Sequence, residues 1–136
     1  ETAGCELIDG TLVEKAMGRP EAYLALELGR LLGNFVVEHK LGFCTGADDL
    51  IEVMPELVRG PDVCFNPWSK MQGRAVDTDP ISGVIPDLVV EVLSPTNTPG
   101  EMRRKLKEYF LGGVRVAWLV DRRTRTAEVY TAPDVR

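Results

Sequence analysis

Two acidic residues stand where charge is costly. Glu91 lies in the middle of Leu-Val-Val-Glu-Val-Leu (88–93), and Asp62 follows Pro61 at the head of the apolar run Val63-Cys64-Phe65. A lone carboxylate in a dry strand is strongly disfavoured unless it is paired or neutralised. Glu91 therefore needs a basic side chain or a metal ion beside it, unless its strand is an edge that turns it to water. Side chains alternate along a strand, so Asp87, Val89, Glu91 and Leu93 share one face. Asp87 and Glu91 are then about 13 Å apart, too far to chelate one ion directly. The second carboxylate should come from a neighbouring strand, and Asp62, in the other Pro-Asp pair, is the natural candidate. Asp62 and Glu91 on adjacent strands would bring their oxygens within reach of one Mg²⁺, which takes oxygen ligands and keeps several waters.

A metal between two carboxylates still needs a group that deals with an attacking water. A lysine serves if its pKa is lowered, or as a positioned cation. A helix over 101–111 offers Arg103, Arg104, Lys105 and Lys107 around the apolar stripe Met102, Leu106, Tyr109 and Phe110. At about 100° per residue, Lys105 lies about 85° from the centre of that stripe and Lys107 about 115°. Lys105 borders the buried face. Arg103 is equally close on the other border and is the alternative, while Arg104 points to solvent.

These residues need a frame. Residues 5–15 predict a hairpin turning at Asp9-Gly10, a strong turn signal between apolar runs. Pro20 opens a helix whose stripe is Leu24, Leu28, Leu31, Leu32 and Phe35, ending near His39. Residues 42–54 suggest a second hairpin around Ala47-Asp48-Asp49. Residues 61–65 are β-prone, 66–85 are loop-rich with one helical turn at 68–72, and 86–95 is the strongest strand. The helix 101–111 stops at Gly112-Gly113, and strands at 114–121 and 127–130 follow. The order β-β-α-β-β-β-β-α-β-β predicts one α/β (α+β) domain over residues 1–136, a central mixed sheet flanked by helices.

Composition removes several alternatives. A single histidine, His39, argues against histidine-based zinc chemistry, and Cys5, Cys44 and Cys64 contain no C-x-x-C pair. There is no G-x-G-x-x-G or Walker loop for a nucleotide cofactor. No apolar run reaches the roughly 18 residues of a membrane helix. The first residues lack a basic region followed by an apolar stretch, so they read as a trimmed end rather than a signal peptide. A cytoplasmic protein is expected. Net charge is −5, yet it is uneven: residues 1–100 carry −9 and residues 101–136 carry +4. The basic end allows a phosphate-facing patch, a solvated helix face being the plainer account.

The run ELIDGTLVEKAMGRPE, then PDVCF, then PDLVVEVLSP with K-L-x-E-Y and G-V-x-x-x-W-L-V-D behind it, resembles the bacterial Uma-two family. That family belongs to the PD-(D/E)XK nuclease superfamily, and the resemblance covers nearly the whole chain. It implies a restriction-endonuclease-like fold and an endonuclease that hydrolyses DNA phosphodiesters with Mg²⁺ or Mn²⁺. Asp62 matches the acidic residue of the P-D motif and Glu91 that of E-x-K. The motif's lysine would fall at Leu93; in its place Lys105 in K-L-x-E-Y matches. Asp87 matches the family's second P-D and would assist at the rim. An N-terminal helix carboxylate often supplements such sites, a place for Glu21 or Glu27, although Tyr23 stands where family members often carry histidine. Arg103, Arg104 and Lys107 would engage flanking phosphates, and a homodimer is implied by analogy with two-strand cutters. The rival reading is a nuclease fold that binds nucleic acid or a protein without cutting; Leu93 and the acidic net charge favour it.

Overall fold

The computed structural model describes residues 4–15 and 17–136. The chain opens with β1 (Cys5–Ile8) and β2 (Thr11–Glu14), paired antiparallel with Leu7 opposite Leu12 and Ile8 opposite Thr11. Asp9 and Gly10 between them both have positive φ, 50° and 79°. That is what a two-residue turn matching strand twist demands, and it is why Asp-Gly stands there.

Helix α1 (Arg19–Glu38) follows, with Pro20 in its first turn, and His39 closes it by placing Nδ1 2.9 Å from the Phe35 carbonyl. Strands β3 (Gly42–Gly46), β4 (Leu50–Met54), β5 (Leu57–Arg59) and β6 (Val63–Pro67) come next. Two short 3₁₀ turns lead to β7 (Ile81–Ser82) and β8 (Leu88–Leu93). Helix α2 (Pro99–Gly112), β9 (Val116–Asp121) and β10 (Thr126–Tyr130) complete the described chain. Thr98 caps α2 by accepting the Glu101 amide at 3.1 Å, and Gly113 ends it at φ 115°.

The expected single sheet is two. One runs β2-β1-β5-β4-β7, the other β10-β9-β8-β6-β3. The expected hairpin at 42–54 does not form: β3 pairs with β6 and β4 with β5, so the turn at Gly46–Asp49 carries the chain from one sheet to the other. Residues 60–62 carry it back. The parallel pair β8–β9 is joined through α2, as a parallel crossover requires.

Helix α1 covers one face of the second sheet, where Leu24, Leu28 and Leu32 pack on Val63, Val90 and Val120. Leu31 and Phe35, expected in the same stripe, are more than half exposed, because the helix turns Glu21, Ala25 and Val36 inward instead. The other face buries Cys64, Val89, Ala117 and Leu119 against Met102, Leu106 and Tyr109 of α2 and against Ile51, Val53 and Leu57 of the first sheet. The main core thus lies where both sheets and α2 meet. Among the described residues no helix is long and apolar enough to cross a membrane.

Candidate active site

Asp62 and Glu91 are brought together by strand register. Strands β6 and β8 are antiparallel with Val63 opposite Val90, so one step further Asp62 falls opposite Glu91. Alternation turns both toward the face that buries Cys64 and Val89. Each is about 4% exposed. The backbone pairing of β6 stops at Val63, and the Asp62 side chain continues it: Oδ2 accepts the Val92 amide at 2.7 Å. Lys15 lies 3.8 Å from Asp62 Oδ1 and donates to the Gly60 carbonyl.

Glu91 is held from the helix side. Tyr109 donates its hydroxyl to Oε1 at 2.6 Å, and Lys105 Nζ sits 3.3 Å from Oε2. Lys105 also lies 3.9 Å from Glu6 Oε1. Glu6, buried on β1, takes the Arg59 guanidinium at 3.1 Å and the Gly60 amide at 3.0 Å. Arg59 in turn donates to Glu108 at 2.5 and 3.0 Å. Every buried carboxylate in this cluster has a hydrogen-bonding partner, as burial demands.

The electrostatics separate the members. Burial, with the Glu91 carboxylate next, pushes Asp62 up to about 7 against the opposing pull of the Val92 amide, Lys15 and Lys105. Burial acts to lower the Lys105 ammonium, but Glu91 and Glu6 outweigh it and the net displacement is upward. Of the two roles open to this lysine, the fold supports the positioned cation. Burial and the same two carboxylates also drive the Tyr109 phenol well above its usual range, so it stays a donor.

The other expected residues lie elsewhere. Asp87 is at the opposite end of β8, 2.8 Å from Lys70 in an ion pair outside hydrogen-bond angles; the Lys70 hydrogen bond goes to the Ile85 carbonyl. Glu21 is buried with Arg122 Nε 3.4 Å from its Oε2, again without hydrogen-bond geometry, and Glu27 pairs with Arg30 on the surface. Arg104 is engaged by Asp9 and Glu108. Arg103 and Lys107 are exposed. Sequence reasoning missed Glu6, Lys15, Arg59 and the Tyr109 hydroxyl. The usable signal was Arg59, an arginine closing the apolar run Leu57-Val58, which requires a buried acid.

Among the described residues no three histidine, cysteine or carboxylate side chains converge on a metal-ligating point. The Asp62–Glu91 pair fits a divalent ion on different grounds. Two buried carboxylates stand opposite each other on paired strands, burial first and the Glu91 charge second raise Asp62, and a hard cation commonly uses one or two carboxylates plus waters and phosphate oxygens.

Two sheets and helix α2, which carries Lys105, enclose the buried acidic pair in an α+β architecture. The chain belongs to the Uma2 family, described as "Putative restriction endonuclease", whose model matches residues 2–136. Its fold is shared with the crystal structure of a "putative nuclease belonging to DUF820" from Anabaena variabilis, at TM-score 0.73 and 19% identity, covering 96% of this chain and 78% of that one. Among curated proteins, none matches the sequence.

Proposed function

We propose that this chain is a divalent-metal-dependent endonuclease that hydrolyses DNA phosphodiester bonds at Asp62, Glu91 and Lys105. The observation that carries this reading is the register that sets two buried carboxylates opposite each other with Lys105 Nζ 3.3 Å from one of them. Asp62 and Glu91 would hold Mg²⁺ or Mn²⁺. The ion, when bound, supplies a Lewis acid for a phosphate oxygen and a more acidic water. Asp62 is oriented for this by the Val92 amide on Oδ2, which leaves Oδ1 available. Tyr109 orients Glu91 by holding Oε1, and Lys105 meets Oε2. Lys105 keeps its proton, orients a water or phosphate oxygen, and offsets negative charge growing on phosphorus. Arg103 and Lys107, exposed on the same helix, would meet flanking phosphates and make binding salt-dependent.

The test is cleavage of plasmid, linear and single-stranded DNA with Mg²⁺ and with Mn²⁺, parent against Glu91→Gln. A parent that cuts nothing, or a Glu91→Gln variant that cuts as well, removes the enzymatic reading. One observation favours a second reading, a nuclease fold kept for binding alone: Glu6 and Glu91 are each 4% exposed and already hold cations through hydrogen bonds, Glu6 with Arg59 and Glu91 with Lys105. Calorimetric titration with Mn²⁺ separates the two, since only the first predicts binding that Asp62→Asn abolishes.

A further inference from the structure

A groove of about 640 Å³ opens beyond the end of β8, on the flank of α2 away from Lys105. Its floor is apolar: Leu93, Leu119, Met102 and Leu106. Leu93 shares the face of Glu91 and lies two residues along the strand, about 7 Å away. Ser94, Asn97 and Thr98 form a polar rim where the chain turns into α2. Tyr130, partly buried against the core, closes the far side.

The charge of the wall leans positive. Arg103, Arg122 and Arg123 line it against two carboxylates, Asp121 and Glu128. Asp121 accepts the Arg123 amide at 2.9 Å to shape the β9–β10 turn, and Glu128 pairs with Arg136. Among the described residues neither Arg103 nor Arg123 has a carboxylate within ion-pair distance; Arg122 leans on Glu21.

An apolar floor, one partly exposed aromatic ring and unmatched arginines form a combination that takes a flat base with an attached phosphate. Stacking on aromatics is sequence-tolerant, and arginines supply the phosphate contact. The volume is that of a small-molecule pocket, roughly 300–1,000 Å³, ample for a nucleotide and too small for a double helix. A base that enters it must be out of its stack.

We infer that this groove binds an unpaired nucleotide of the DNA strand whose phosphate lies at Asp62 and Glu91, so that the protein prefers single-stranded or locally opened DNA. The inference rests on the nuclease reading for its choice of ligand. It is tested by fluorescence anisotropy without divalent ions, using a labelled thymidine oligonucleotide alone and the same strand paired with its complement. The single strand is expected to bind about tenfold tighter or better. Tyr130→Leu should weaken it about fivefold or more, and Arg123→Ala should reduce the dependence of log K on log salt by about 0.7. Thermal midpoints of both variants, at partly or fully exposed positions, check that they fold. Equal affinity for strand and duplex, or variants that bind like the parent, overturns the inference. Mn²⁺ titration of the same variants should match the parent. A failed groove therefore leaves the carboxylate pair standing, and a carboxylate pair that binds no metal leaves the oligonucleotide result to stand alone.

Discussion

At neutral pH Lys105 carries its proton, because Glu91 and Glu6 hold the ammonium from two sides. It can orient and stabilise but has no lone pair to accept a proton. Lys105→Ala should therefore lower single-turnover cleavage by about 10²–10³, the usual loss on deleting one charge-stabilising donor, while Mn²⁺ affinity stays level or rises. A lysine acting as base would instead show an alkaline-rising rate that the variant loses, and that profile would contradict the assignment. Asp62 behaves in the opposite sense. Its folded pKa, about 7, lies above the ordinary carboxylate value of 3.8. The native state then holds an extra proton between about pH 4 and 7, so stability falls as pH rises through that window and is level above it. Asp62→Asn removes the penalty, and urea titrations should show its advantage over the parent growing from pH 5 to pH 8, by at most about 3 kcal/mol. A divalent ion bound as proposed would have to displace the same proton, so its affinity should weaken below pH 7. Asp62, Glu91 and Lys105 were legible because each breaks a local pattern, two acids in apolar strands and a lysine on a helix border. Glu6 was not, because Cys5-Glu-Leu-Ile8 reads as ordinary alternation, and alternation does not say whether the polar face meets water or a second sheet.

Helix α2 places Lys105 and Tyr109, and both ends of it are specified. Thr98 caps the start, and Gly112 at the end lies against β4. A Cβ at Gly112 would fall 2.6 Å from Val53 Cγ1 and 2.9 Å from the Val53 carbonyl oxygen, so only glycine fits without movement. Gly112→Ala should cost about 1–3 kcal/mol, as overpacking does, read as a lower denaturation midpoint; an unchanged midpoint would mean β4 yields freely. The helices and the hairpin at Asp9-Gly10 were readable because caps, prolines and positive-φ glycines are local devices. Strand β5 was not. Its three residues, Leu57–Arg59, are too short for periodicity, and their place between β1 and β4 is set by partners distant in the chain.

For the whole molecule, Arg59 is the joint. From β5 it reaches Glu6 on β1 and Glu108 on α2, tying the first sheet to the helix that packs on the second. Arg59→Met strips Glu6 of its hydrogen-bonded cation and leaves Glu108 with Arg104 alone, and breaking a buried pair from one side costs about 3–5 kcal/mol. Chemical denaturation should show that loss, and Glu6→Gln added to the same chain should recover part of it. No recovery on adding Glu6→Gln would point to packing rather than charge. The division into two sheets was the part of the fold least visible in sequence. Local pattern marks strands, whereas the segments 47–49 and 60–62 decide which sheet each strand enters, and nothing in their composition announces that choice.

The amide of Val92 ends on a carboxylate where the strand ladder would have supplied a carbonyl. A ladder bond is indifferent to solution conditions; this one is not, since its acceptor loses negative charge when Asp62 is protonated. One backbone resonance therefore reports on the site from inside the sheet. In a nitrogen–proton spectrum, the Val92 peak should titrate with a midpoint near 7 while its strand neighbours Val89 and Val90 hold still. The molecule carries its own indicator at the position where proton and metal would compete.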